Sequence, residues 1–130
     1  MTDDELIDAF ESHRLTHEAF SHEIHLRIGW IYLTRMSLGA ACDTMARELL
    51  AWDIAYGLGD RYHETVTWAF MMIMHEKQLA CRAPTFDAFM KANPDLMAKN
   101  PPYLARYYKA ETLESDLARK QFLLPDAGGN

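Results

Sequence analysis

The sequence predicts an all-α fold, a single-domain irregular or orthogonal bundle of six or seven helices with a buried central helix around residues 61–81. Three observations predict it. Apolar residues recur every three or four positions through long segments, strand-like alternation is sustained nowhere, and glycines and prolines fall between the periodic segments, not inside them. At 130 residues the chain has room for one ordinary core, so residues 1–130 are read as one helical domain.

The first predicted helix, Asp3 to Arg14, carries Leu6, Ile7 and Phe10 on one face behind the acidic turn Asp3, Asp4, Glu5, which suits the positive end of a helix dipole. After LTHEAF, Ser21 caps a second helix running to Met36. Glu23 and Arg27 pair on its narrow polar seam, and Ile24, Leu26, Ile28, Trp30, Ile31, Leu33 and Met36 occupy most of the rest. Ser37 caps a third helix to Tyr56, striped by Leu38, Ala41, Met45, Leu49 and Trp52 and stopped by the segment GLG. Asp60 is expected to cap the central helix, Arg61 to Cys81, whose middle, VTWAFMMIM, is apolar all round. Thr85 and Phe86 begin a short helix ending before Pro94. Pro101 and Pro102 open a turn or two through Tyr108, and Ser115 caps a last helix to Phe122. The tail, residues 124–130, is expected to be extended.

Composition excludes several function classes. Thirteen Lys and Arg against nineteen Asp and Glu give a net charge of -6, the wrong sign for a phosphate backbone or an anionic membrane, so nucleic acid and membrane are not expected partners. The longest apolar run, Trp68 to Met74, is far short of the roughly 20 residues that span a bilayer. The start, MTDDELIDAF, is acidic where an export signal is basic, and Cys42 and Cys81 lack CxxC spacing. A reducing cytoplasm with two buried free thiols is the expectation.

Chemistry concentrates on histidine. Four of the six histidines lie between positions 13 and 25. His22 and His25 are three apart on one helix, roughly 60° apart in projection, so both rings can converge on one metal ion. Their face continues through Gly29 and Tyr32, and the missing side chain at Gly29 leaves room for a small pocket. In RYHETVTWAF, His63 falls in the first turn of the central helix, where the dipole and partial burial both disfavour imidazolium and keep it available as base, electrophile or third ligand. Glu64 follows on an apolar face and is the candidate general base, with Tyr62 and Thr67 beside it as further pocket residues. The bland alternatives are a buried hydrogen-bonding histidine, a surface histidine and a first-turn helix charge.

Familiar catalytic signatures are missing. Four His-Glu dipeptides begin at His17, His22, His63 and His75, but none completes HExxH, because the residue four on is Ser21, Leu26, Thr67 or Leu79. Glu-x-x-His pairs, GxSxG, GxxxxGK and GxGxxG are also absent. The methionines Met71, Met72 and Met74, with Met90 and Met97, read as core filler. Tyr103, Tyr107 and Tyr108 with Arg106 either roof a ligand pocket or lock the C-terminal helices to the body, the second being favoured, and Asp126 either reaches back into a site or stays in solvent, as tail carboxylates usually do.

The blocks FSHEIHLRIGWIYL, RYHETVTWAF, FDAFMKANPDL, LARYYKAETLESDLARKQF and LLPD together resemble a family of small all-helical bacterial hypothetical proteins, over residues 20–126. The resemblance implies a small helical bacterial protein and brings no particular reaction with it. Its blocks coincide with His22, His25, Arg27, Tyr62, His63 and Glu64.

The leading expectation is a small-molecule enzyme in which His22, His25 and His63 bind one divalent metal and Glu64 orients water or moves a proton, as in hydrolysis, hydration, elimination or oxidation. Zinc is the default metal, and iron or copper would imply redox chemistry. One alternative is a metal-free isomerase, lyase or cyclase using His63 and Glu64 as acid and base on a carbonyl compound. Another is a non-catalytic structural or interaction protein whose histidines satisfy buried hydrogen bonds, with a homodimer through Trp30, Trp52 or Trp68.

Overall fold

The computed structural model describes residues 1–127, and among these the chain is all-α, with seven α-helices and no strand. It forms two compact units, one from Met1 to Tyr62 and the other from His63 onward.

In the first unit α1 spans Asp3–Glu11, α2 His22–Arg35 and α3 Leu38–Ala55. Thr2 starts α1 with a capping box: its hydroxyl accepts from Glu5 N–H at 3.1 Å while the Glu5 carboxylate accepts from Thr2 N–H at 2.8 Å. Those bonds hold the Glu5 carboxyl below its ordinary range. The helix stops short of the expected Arg14 because His13 turns into the left-handed region at φ 64°, after which Leu15 N–H reaches back to Ala9 O at 2.8 Å. Ser21 and Ser37 cap α2 and α3 as their sequence positions predict. The three helices pack mutually, burying Leu6, Phe10, Leu26, Ile31 and Met45. Arg27 ties α1 to α2 through Asp3 at 2.9 Å and the Met1 carbonyl at 2.8 Å, and Arg35 reaches Asp4 at 2.7 Å. Beyond α3, Gly57 turns at φ 72°, which only glycine adopts without strain, and a 3-10 turn, Gly59–Arg61, packs back on α3.

In the second unit α4 spans Glu64–Cys81, α5 Phe86–Ala92, α6 Ala110–Leu113 and α7 Asp116–Lys120, with 3-10 turns at Pro94–Met97 and Tyr103–Arg106. The expected central helix therefore begins later than Arg61 and is capped by His63 in place of Asp60, because Arg61 belongs to the preceding 3-10 turn. It is buried at Thr65, Thr67, Ala69, Met71 and Met74, but Leu79 in its last turns is 62% exposed, so its burial is one-sided there. Arg82 closes it at φ 48°. Thr85 and Ser115 cap α5 and α7 as expected. α6 is a turn that the periodicity did not reveal: its N-cap residue, Lys109, supplies no side-chain acceptor. Tyr103 is buried, with the Arg106 guanidinium 4.4 Å from its ring. The tail through Ala127 is non-helical, and the remainder of the expected extended segment, 128–130, lies outside the described residues. Cys42 and Cys81 are both free; Cys42 is buried, but Cys81, at the exposed end of α4, is not.

Candidate functional site

The expected histidine triad is distributed over both units. His22 and His25 lie on α2 in the first, and His63 and Glu64 lie at the start of α4 in the second. Among the described residues, no group of three His, Cys, Asp or Glu side chains is placed to hold a metal ion.

His63 is the N-cap of α4, and both of its ring nitrogens are engaged. Nδ1 accepts from Val66 N–H at 3.1 Å, and Nε2 lies 2.7 Å from Leu113 O, an acceptor only. The pair of bonds specifies the neutral tautomer with the proton on Nε2, and it leaves neither a lone pair for a metal nor a hydrogen for a substrate. Histidine takes here the place that Ser, Thr, Asp or Asn usually fills. Thr67 turns inward and donates its hydroxyl to His63 O at 2.8 Å, while Glu64 occupies the first turn. Tyr62 is half-buried at the end of the first unit. Of the α2 pocket candidates, Gly29 and Tyr32 are buried, and the Tyr32 hydroxyl is committed to the Glu11 carboxylate at 2.6 Å, which, with burial, drives its pKa far up.

The α2 pair is placed differently. His25 is half-buried with its ring edge-on to Phe20, centroids 5.4 Å apart, and among the described residues no hydrogen bond holds its ring nitrogens. Burial pushes its pKa down to about 4, and the nearby His22 adds to the effect. It is an uncharged imidazole throughout the neutral range.

Phe20 belongs to an aromatic cluster that its two neighbours on α3 complete. It packs on Trp52 at 4.5 Å, Trp52 stacks on Tyr56 at 4.5 Å, and His17 lies over Trp52 at 6.2 Å. The cluster is pinned from the side by two hydrogen bonds to the α1–α2 connection, Trp52 Nε1–H to Leu15 O and Tyr56 O–H to His13 O, both 2.8 Å.

Asp53 follows Trp52 in this surrounding. It is only 9% exposed, and no hydrogen-bond donor among the described residues reaches its carboxylate. Burial pushes its pKa up to about 6, against the opposing pull of Arg61 and His17, the charged groups close enough to act on it. Burying a carboxyl without a donor costs stability, and perturbed carboxyls of this kind occur both at functional sites and at structural positions. Sequence reasoning missed Asp53. The available signal was its position four after Leu49 on the apolar stripe of α3, where a charge has no structural reason to be.

Asp126 is exposed, as a tail carboxylate is expected to be, and it also reaches back along the chain. Its carboxylate accepts from Lys109 N–H at 2.9 Å and from the Thr112 hydroxyl, so it caps α6 from the other end of the segment. These bonds hold its pKa low. The adjoining tail is secured by Thr65, whose hydroxyl donates to Gln121 O at 2.8 Å and accepts from Leu123 N–H at 3.1 Å, and by Tyr108 O–H on Leu123 O at 2.7 Å. No helix is long and apolar enough to cross a membrane among the described residues. Comparison with protein-family models, curated proteins and solved structures returns no match.

Proposed function

We propose that the protein is a metal-free acid-base enzyme acting on a small carbonyl compound, an isomerase, lyase or cyclase, with its proton-transfer groups in the first unit. The observation that carries this reading is the pair His25 and Asp53. His25 packs on Phe20 of the aromatic cluster, Asp53 follows Trp52 on α3, and both are displaced from their ordinary titration toward the neutral form. Between about pH 4 and about pH 6 the imidazole is free to accept a proton while the carboxyl still holds one to give. His25 takes a proton from the carbon beside the carbonyl, the C–H electron pair moves into a C=C bond, and the carbonyl oxygen takes the Asp53 proton. An enol results, and reversal with delivery at another carbon, or loss of a leaving group, completes the reaction.

His63 and Glu64, the acid-base pair expected from sequence, are less suited, because the His63 ring is fully used in capping α4. The test is carbon-bound hydrogen exchange. The protein is incubated in heavy water with pyruvate or dihydroxyacetone, and loss of the C–H signals is followed by NMR. Catalysed exchange with a bell-shaped pH profile, highest near about pH 5 and abolished in His25→Gln, is expected. Exchange no faster than in buffer, or unchanged in His25→Gln, refutes the reading.

A further inference from the structure

The outer face of α3 is poor in charge for a helix that meets water. Gly39, Asp43, Arg47, Leu50 and Ile54 recur every three or four residues, so they form one stripe, and all five are exposed. A solvent-facing stripe ordinarily carries polar residues along its whole length. Here the only two charges, Asp43 and Arg47, pair with each other across one turn at 3.0 Å. Leu50 and Ile54, one turn apart, are 37% and 62% exposed, and a side chain added at Gly39 would meet nothing within 4 Å. The stripe therefore has a bare hollow near its start, an uncovered isoleucine near its end and a neutral ion pair between them. The tryptophans of this unit expected to carry a homodimer, Trp30 and Trp52, are buried within it and leave that role open.

We propose that this stripe is the contact between two copies of the chain, with their α3 helices antiparallel about a two-fold axis. The stripe is complementary to itself in that arrangement. With Ile54 set opposite the partner's Gly39, each isoleucine fills the hollow on the other copy, and the two contacts lie about 22 Å apart along the helices. The same alignment lays Leu50 along the aliphatic stem of the partner's Arg47. Each Arg47 then reaches the partner's Asp43 as well as its own, an alternating ring of four charges around the axis. Charge also favours a second copy over another occupant. The chain carries a net charge of -6, so two copies repel over most of their surfaces, and a face whose own charges cancel is where they meet without that cost. A cationic partner would find no excess of carboxylates on it.

The experiment is sedimentation equilibrium of the whole chain over a series of concentrations from the micromolar range upward. A reversible monomer–dimer equilibrium is expected. Ile54→Lys places a charge in the hollow and Gly39→Leu fills it, so each should raise the dimer dissociation constant by about tenfold or more. Both positions face solvent in the single copy, and Gly39→Leu also replaces a poor helix former, so both variants keep their fold, which far-UV circular dichroism checks. Arg47→Asp should weaken the dimer by turning the charge ring wholly acidic, and the exchanged pair Asp43→Arg, Arg47→Asp should restore it. A monomer at every concentration overturns the proposal, and so does a dimer indifferent to Ile54→Lys or to Gly39→Leu. An exchanged pair that dimerises no better than Arg47→Asp alone contradicts the antiparallel alignment.

Discussion

Most polar side chains in both units close backbone hydrogen bonds, and the units differ in how they hold a few titratable groups. In the second, His63, Thr65, Thr67, Tyr108 and Asp126 each close a hydrogen bond that the backbone would otherwise lack, at a helix start or along the tail. In the first, His25 lies edge-on to Phe20 and Asp53 is largely buried, and neither side chain makes a hydrogen bond among the described residues. Satisfied polar groups stabilise and tell little about chemistry, whereas unsatisfied ones destabilise and persist for another reason. The contrast between His63 and His25 is therefore more informative than the number of histidines.

The largest expected effect is on the pH dependence of the first unit. Asp53 is raised from 3.8 to about 6, so the folded state binds more protons than the unfolded state between those values, and stability is lost as pH rises through them. The penalty is complete above about pH 6. His25 is lowered from 6.5 to about 4, so its contribution is intact above pH 6.5 and is lost as pH falls toward 4. The two slopes oppose each other. Urea denaturation across this range should show Asp53→Asn more stable than the parent at pH 7, with the advantage vanishing near pH 4. His25→Gln should gain stability on acidification where the parent is nearly level. Equal pH profiles in all three proteins would erase the distinction between the units.

His63→Ala comes next. It removes the cap of α4 and leaves Leu113 O without its donor, a loss of about 2 kcal/mol by denaturant unfolding, of which His63→Asn should restore part through its own capping oxygen. If His63→Ala were neutral in stability, the capping role would be wrong and the ring would be free for chemistry after all. The smallest effect belongs to Asp126→Ala. Faster hydrogen exchange at Lys109 and Leu123 is expected, with the α2 and α3 amides untouched. Uniform acceleration over the whole chain would show the tail to be part of the main cooperative unit.

The helices were legible because their signals are local. Ser21, Ser37, Thr85 and Ser115 each precede an apolar period, and each accepts the expected backbone N–H. Boundaries failed where a non-glycine residue enters the left-handed region, as at His13, and where a cap comes from a distant residue, as Asp126 does for α6. The start of α4 was misplaced because His63 caps with a ring nitrogen, while Asp60, the conventional capping residue, lies in the preceding turn. Of the site, His25 could be read from its apolar face. Asp53 was marked only by its place four after Leu49 on the α3 stripe, and its burial and lack of a donor come from the folded chain.

NMR pH titration of the His25 ring and the Asp53 side-chain carbon tests whether the first unit holds both groups toward their neutral forms. Midpoints of about 4 for His25 and about 6 for Asp53, crossed relative to their ordinary order, are expected. A histidine titrating near 6.5 and an aspartate near 3.8 would contradict it and leave the first unit with no acid-base site to explain.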